Sequence, residues 1–226
     1  QQIWPAVISE PVLVLEQKVK NGQLFHLMAQ QYFTGIDQKL IMSQITHEEI
    51  RNWWSSFLIF TEYLKDLPNQ SEVYISGRIN SYHLAGIFDL LVYIPGEKFT
   101  ILDWKTNQSK PPRKLLQDHI QTKLYPLLLT NSGDSWNNGE KIHPDQIEMV
   151  YWFTNSPNEP EPFQYSVQQY DEDLNFILNL ISQIEKTKTD EYPLTTEEKR
   201  CKFCNYRSLC GRGQLPGIIS NIDYMD

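Results

Sequence analysis

The sequence is poor in cysteine, and it has no long hydrophobic run and no low-complexity tract. Only three cysteines occur in 226 residues, all after position 200, which excludes a disulfide framework and leads us to expect a reducing, cytoplasmic location. No apolar segment approaches the roughly 18 residues that a membrane span needs, so we expect no membrane association. The 10 glycines and 13 prolines are scattered, which argues against disordered and fibrous classes.

Positive charge is also scarce. The formal net charge is −8 at pH 7, which argues against indiscriminate binding to polyanions. Basic residues are concentrated in two short segments, 105–123 with a net charge of +4 and 199–226 with a net charge of +3. Such patches occur at contacts with a polyanion and also on ordinary solvated surfaces, and charge alone favours the second interpretation.

The periodicity of the apolar residues predicts alternating helices and strands. Helical spacing occurs in four segments, over residues 12–33, 47–65, 113–130 and 171–187. Short stretches rich in β-branched and aromatic residues predict strands over residues 72–79, 84–94, 99–106, 146–154 and 163–167. With 40% apolar residues the chain can bury a real core, and this order of elements predicts an α/β fold.

All three cysteines lie in the C-terminal tail, which behaves as a separate small module. We therefore predict two parts, a main domain over residues 1–198 and a cysteine-bearing C-terminal module over residues 199–226 that packs against it.

Two neighbouring strands carry acidic residues in apolar surroundings. Asp89 follows Gly86-Ile-Phe, and Asp103 and Lys105 lie two residues apart on the next strand, where alternation points both to one face. If a turn at 95–97 pairs the strands, the two aspartates lie close together where the strands diverge. Close carboxylates repel each other, and a bound Mg²⁺ or Mn²⁺ relieves that repulsion. A lysine beside such a metal can hold or activate a water. The competing interpretation is a surface strand with alternating charges.

In this arrangement the sequence resembles the PD-(D/E)XK nuclease superfamily, and more narrowly the RecB-type nuclease domain with its CRISPR-associated and AddB-type members. Five motifs in order carry the resemblance: Gly22-x-x-x-His26, Gly86-x-x-Asp89, Asp103-Trp-Lys105-Thr, Gln121-x-x-x-Tyr125 and Cys201-x2-Cys204-x5-Cys210. The resemblance implies a restriction-endonuclease-like α/β fold with a mixed central sheet flanked by helices. It also implies a metal-dependent DNA nuclease, acting as an exonuclease on single-stranded ends in DNA repair or recombination.

The resemblance assigns roles to the residues of the first three motifs. It implies that one or two Mg²⁺ or Mn²⁺ ions are bound by His26, Asp89, Asp103 and the main-chain carbonyl of Trp104. Lys105 is then the catalytic lysine that positions the attacking water. Glu72, at the start of the first strand, could help a second metal, but we interpret it first as a surface residue.

The helix motif has a functional and a plain interpretation. Gln121 and Tyr125 are four residues apart and share one helix face. By resemblance they face the cleft and contact the nucleic acid, and without it an ordinary amphipathic helix is the simpler interpretation. Arg113 and Lys114 lie beside this helix and are candidates for following the phosphate backbone.

The cysteine motif implies an iron–sulfur site. Cys201, Cys204 and Cys210 have suitable ligand spacing, but three cysteines do not complete a [4Fe–4S] site. In the resembled nucleases the fourth cysteine lies upstream of the helical histidine. Since this chain begins at Gln1, we expect it to be a fragment that lacks an N-terminal piece, with a cluster in the full-length protein. Zinc with a different fourth ligand and a tail of free thiols are the alternatives.

Other functions are compatible with the same residues. One is a nuclease-like module that binds DNA or a helicase with little cutting. Another is a redox or iron-sensing module built on the cysteines. The partners expected from the resemblance are DNA and a helicase or other repair or CRISPR proteins.

Overall fold

The computed structural model describes residues 13–187, 194–197, 201, 204 and 210–212. Gln17–Ser182 form one compact unit, and the flanking segments are assigned to a second. The described helices are α1 (Leu13–Phe33), α2 (Gln38–Ser43), α3 (Glu48–Thr61), α4 (Arg113–Gln117), α5 (Ile120–Ser132) and α6 (Val167–Lys186). The described strands are β1 (Asn69–Ile79), β2 (Tyr82–Ile94), β3 (Lys98–Lys105), β4 (Ile147–Phe153) and β5 (Glu161–Gln164).

The five strands form one sheet in the order β1-β2-β3-β4-β5. β1, β2 and β3 are antiparallel neighbours, β3 and β4 are parallel, and β4 and β5 are antiparallel. The parallel pair requires a crossover connection, which α4 and α5 supply. The sheet is therefore mixed, and the predicted α/β class with flanking helices is confirmed.

Helices cover both faces of the sheet. On one face, Leu102 and Trp104 of β3 pack into an aromatic-rich core with α1, α2 and α3. On the other face, Phe99 and Ile101 of β3 pack with residues of α4 and α5. The alternation predicted for β3 is thus confirmed, and it places Asp103 and Lys105 on the same side as α5.

Several predicted boundaries differ from the structure. The helix predicted over 113–130 is two helices, which separate at Asp118 and His119, whereas Pro126 lies inside α5 without ending it. The short helix α2 was not predicted. β5 begins two residues earlier and ends three residues earlier than the strand predicted at 163–167, and α6 begins at Val167 rather than 171.

Of the cysteine tail, the structure describes only a few residues. Cys201 and Cys204 are half-buried and Cys210 is exposed. The Arg212 guanidinium donates a hydrogen bond to the Cys201 sulfur, with 3.3 Å between Nη1 and Sγ. The predicted boundary at 198/199 falls largely outside the described residues and stays a prediction. Among the helices described, none is long and apolar enough to cross a bilayer.

Candidate active site

The candidate site lies where β2 and β3 separate. Their recorded pairing ends at Leu90 and Leu102, so Asp89 and Asp103 are the next residues opposite each other. The Asp89 carboxylate enters the gap, where its Oδ2 accepts a hydrogen bond from the main-chain N–H of Trp104, at 2.6 Å from the nitrogen. The strand register therefore brings the two aspartates close together where the strands diverge, as the sequence predicts.

β2 changes face at Asp89. Phe88 packs on the α5 side of the sheet, whereas Leu90 packs on the α1 side. Directly across from Asp89, between the pairs Ser71–Leu90 and Val73–Phe88, Glu72 has a φ of +49°. A left-handed conformation costs a non-glycine residue about 1–2 kcal/mol, and such strain is concentrated at functional sites.

Helix α1 brings the histidine to this point. Gly22 lets the helix approach the residue after β3, because a Cβ at this position would lie 2.8 Å from Thr106 Oγ1. One helical turn later, His26 Nδ1 lies 3.1 Å from Asp89 Oδ1. The Gly22-x-x-x-His26 spacing therefore reflects a close helix–strand contact followed by an inward-facing imidazole.

A group suited to a divalent ion is formed by His26, Glu72 and Asp89. Each offers one ligand atom, and these atoms lie within 4.8 Å of one another. Two carboxylates and an imidazole, all half-buried, fit Mg²⁺ or Mn²⁺ in donor type. Glu72 belongs to this group, and Asp103 lies beside it rather than in it.

Asp103 instead belongs to a hydrogen-bond network with Lys105 and the α5 motif. Lys105 Nζ lies 2.7 Å from Asp103 Oδ2 and donates to Gln121 Oε1 at 2.8 Å. Gln121 Nε2 donates to Asp103 Oδ1 at 3.1 Å and to the Tyr125 hydroxyl at 2.8 Å. Gln121 therefore holds the acid, the lysine and the tyrosine together from one helix face.

Tyr125 is seated by a glycine on β2. A Cβ at Gly86 would lie 2.8 Å from Tyr125 Cε1, so a larger residue would displace the ring. Phe88 contacts the same ring, with 5.0 Å between the centroids. The glycine of the Gly86-x-x-Asp89 motif thus leaves room for the Tyr125 ring of α5, while the aspartate supplies a carboxylate to the candidate site.

The pKa directions indicate an excess of negative charge. Burial and the Asp89 charge raise the pKa of Asp103 to about 6, although Lys105 and His26 oppose the shift. Burial and Asp89 likewise raise the pKa of Glu72. Burial lowers the pKa of His26, but its hydrogen bond to Asp89 and the nearby carboxylates outweigh that effect, so the pKa is raised. A divalent cation would relieve this repulsion.

The basic residues predicted to contact DNA lie away from the acidic residues of the candidate site. Arg113 pairs with Glu161 of β5 and stacks its guanidinium on the Phe163 ring, 4.3 Å from the centroid. Lys110 also pairs with Glu161, at 2.7 Å. Lys114 is exposed on α4. Arg113 and Lys110 therefore fasten the segment after β3 to β5, and neither is among the contacts of the candidate site.

The structure thus gathers His26, Asp89, Asp103, Lys105, Gln121 and Tyr125, as the motifs predict. The Trp104 side chain is in the core, and its main-chain N–H orients Asp89. Sequence reasoning placed Glu72 first on the surface. The signal that could have found it is the antiparallel register, since a tight turn at 80–81 puts residue 72 opposite residue 89.

A five-stranded mixed sheet with an aspartate and an Asp-x-Lys pair where two strands part defines a class of nucleases, and the sequence comparison agrees. A family model described as the PD-(D/E)XK nuclease superfamily matches residues 9–211. The chain belongs to the PD-(D/E)XK nuclease superfamily, and its class of activity is that of a hydrolytic nuclease.

The solved structures that resemble this chain are distant in sequence. One is a candidate exonuclease from Eubacterium rectale, with 15% identity over 88% of this chain and 77% of that chain and a TM-score of 0.50. This likeness shows the fold alone. Another, SSO0001, has 12% identity over 87% of this chain and 93% of that chain, with a TM-score of 0.42. No curated protein sequence matches at a significant level.

Proposed function

We propose that the chain is a Mg²⁺- or Mn²⁺-dependent deoxyribonuclease that acts as an exonuclease on single-stranded ends, in DNA repair or recombination. The observation that carries the proposal is the gathering of His26, Glu72 and Asp89 within 4.8 Å beside the Asp103–Lys105 ion pair. Three acids, an imidazole and an ammonium group at one site suit the hydrolysis of a charged phosphodiester.

The metal would be held by His26, Glu72 and Asp89, with Asp103 and the Trp104 main-chain carbonyl as the further candidate ligands. When bound, such an ion polarises a phosphoryl oxygen and lowers the pKa of a water. The hydrogen bond from the Trp104 N–H fixes one oxygen of Asp89, which leaves Oδ1 directed toward His26. This arrangement orients the carboxylate before any ligand arrives.

Lys105 is the residue we assign to the attacking water. Its ammonium group is held between Asp103 and Gln121 and lies 5.4 Å from the centroid of the Tyr151 ring. A cation fixed in this way can hold the attacking water by hydrogen bonding and can neutralise charge that develops on the phosphoryl oxygens. Gln121 acts on the chemistry through Lys105 and Asp103, so it is a positioning residue.

One set of contacts to the substrate strand would come from the α4–α5 side. Tyr125 and Gln121 lie on the α5 face that meets the site, and exposed Lys114 can reach a phosphate further along. Arg113 contributes to the same surface only when it exchanges Glu161 for a phosphate. The exonuclease mode and the partner, a helicase or other repair or CRISPR protein, come from the RecB-type resemblance.

The tail would hold an iron–sulfur cluster in the native protein through Cys201, Cys204 and Cys210. The hydrogen bond from Arg212 to the Cys201 sulfur places a cationic donor beside a candidate ligand atom, which supports this proposal. Residues 1–226 supply three cysteine ligands, and a fourth ligand is needed to complete a [4Fe–4S] site. Iron and sulfide analysis of protein purified without oxygen tests this part separately.

The experiment for the nuclease is a cleavage assay on single- and double-stranded oligonucleotides labelled at either end. We expect cleavage with Mn²⁺ or Mg²⁺, none with EDTA, and loss of cleavage in Lys105→Ala. Lys98→Ala is the matched control, because Lys98 pairs with Glu148 at the opposite end of β3. Oligonucleotides that are bound but left intact with both metals would refute the enzyme and favour a binding module.

A further inference from the structure

The β1–β2 hairpin extends beyond the candidate site and leaves one face open. β3 pairs with β2 only from Leu90 to Ile94, so the rest of the hairpin projects past the sheet. One face of this projection packs on α5, where Gly77 and Gly86 allow close contact. The opposite face, here called the hairpin platform, consists of Tyr74, Ser76, Arg78, His83, Ala85 and Ile87, all exposed.

Two large apolar side chains form the part of the platform nearest the site. Tyr74 and Ile87 are directly paired across the strands and are 66% and 50% exposed. Single exposed apolar residues need no explanation, but a cross-strand pair makes a continuous patch. Tyr74 lies two residues from Glu72 and Ile87 lies two residues from Asp89, which is about 7 Å along each strand. The platform is therefore continuous with the candidate metal group.

The charges on the described part of the chain favour contacts to bases over contacts to phosphates. Cationic side chains around the sheet are engaged by carboxylates, in the pairs Lys98–Glu148, Lys105–Asp103, Lys110–Glu161, Arg113–Glu161 and Lys123–Asp173. With a net charge of −8, the protein has little positive charge for a phosphate backbone. Arg78 is an exposed cation on the platform, opposite His83 at its far end.

We infer that the hairpin platform binds unpaired nucleotides of the substrate strand next to the phosphate that is cut. The Tyr74 ring stacks on a base, Ile87 packs beside it, and Arg78 contacts a phosphate further along. Stacking on aromatic side chains needs no base sequence and only bases free of a complementary strand. This inference rests on the proposed function, and it names the side chains that would make unpaired ends the preferred substrate.

The test measures binding in EDTA, so that it is independent of cleavage. Fluorescence anisotropy of a labelled single-stranded oligonucleotide is compared for wild type, Tyr74→Ala, Tyr74→Trp and Tyr63→Ala. We expect Tyr74→Ala to weaken binding about tenfold, because stacking of one base accounts for a loss of this order. Tyr74→Trp keeps a stacking ring and should bind as well as wild type.

Tyr63→Ala is the matched control. Tyr63 is 63% exposed, close to the 66% of Tyr74, but it lines a cavity with Ile94 and Lys98 at the opposite end of the β2–β3 pairing. Its removal should leave binding unchanged. A second oligonucleotide, in which every base is replaced by an abasic sugar, should bind wild type and Tyr74→Ala equally, because no base is left to stack.

Three results would overturn the inference: equal affinities for Tyr74→Ala and Tyr63→Ala, a Tyr74→Ala loss that persists on the abasic strand, or no measurable binding by wild type. Cleavage with Mn²⁺ is scored separately. Cleavage without a Tyr74 effect refutes the platform and leaves the nuclease standing. A Tyr74 effect without cleavage refutes the nuclease and leaves the platform standing.

Discussion

Glu72 and Asp89 face each other across β1 and β2, at the one pair missing from an otherwise continuous register, and Glu72 has a φ of +49° there. In two regular antiparallel strands, the residues at these positions would pair with each other in the hydrogen-bond ladder. The left-handed turn of Glu72 and the change of face at Asp89 direct both carboxylates toward His26 instead. Local strain is thus associated with a group of metal-type ligands.

This relationship predicts the behaviour of Glu72→Gly. Glycine adopts the left-handed conformation freely, and the change removes a carboxylate close to Asp89. We expect the free energy of unfolding to stay within about 1 kcal/mol of wild type, because relief of strain and repulsion offsets the greater flexibility of the unfolded glycine. The Mn²⁺ affinity, measured by calorimetry, should fall at least tenfold. Unchanged affinity would remove Glu72 from the ligand set.

The raised pKa of Asp103 predicts a pH dependence of stability without metal. The group titrates near pH 3.9 in the unfolded chain and at about 6 in the folded protein, so the folded state binds more protons between these values. The free energy of unfolding therefore falls as the pH rises through that window. The full destabilisation by the buried carboxylate is present above about pH 6.

Asp103→Asn removes the free-energy cost of burying a charged carboxylate at this position. In EDTA the variant should gain stability over wild type between pH 4 and pH 7, by an amount on the order of 1–3 kcal/mol at neutral pH. Urea unfolding at several pH values measures the difference. A variant less stable than wild type at pH 7 would mean that the ion pair with Lys105 outweighs the burial of the carboxylate.

The network around Gln121 predicts a change in turnover. In Gln121→Ala, Lys105 keeps Asp103 but loses its second partner, so the ammonium group is less well fixed. We expect kcat to fall about 10–100-fold with little change in KM, which is the pattern of a residue that acts in the transition state. Steady-state cleavage kinetics measure both values. A rise in KM at constant kcat would assign Gln121 to binding only.

The contact between Gly86 and Tyr125 predicts a steric effect. Gly86→Ala places a Cβ against the Tyr125 ring, and overpacking of this kind costs about 1–3 kcal/mol of stability. Thermal unfolding measures the loss. Tyr125→Ala in the same chain should cancel most of it, because the clashing ring is gone. If the double variant is as unstable as the sum of the two, the ring is not the cause.

The sequence by itself determined the α/β class and the alternation of helices and strands, apart from α2 and the break between α4 and α5. Period-two alternation was enough to put Asp103 and Lys105 on one face. The candidate roles of His26, Gln121 and Tyr125 came from the resemblance to the nuclease superfamily, because their spacing alone also fits ordinary helices. These signals are local, because each depends on residues within about one turn of helix or one strand.

Only the tertiary structure decided which groups stand together. Glu72 joins the metal-type group because a hairpin register and a left-handed φ bring it opposite Asp89, and a single segment does not encode either the pairing or the kink. Arg113 is engaged by Glu161, which lies 48 residues away in sequence on another strand. The physical reason is that long-range packing determines which residue a charged or strained side chain contacts. Residue type and periodicity, in contrast, can be read from a short segment of sequence.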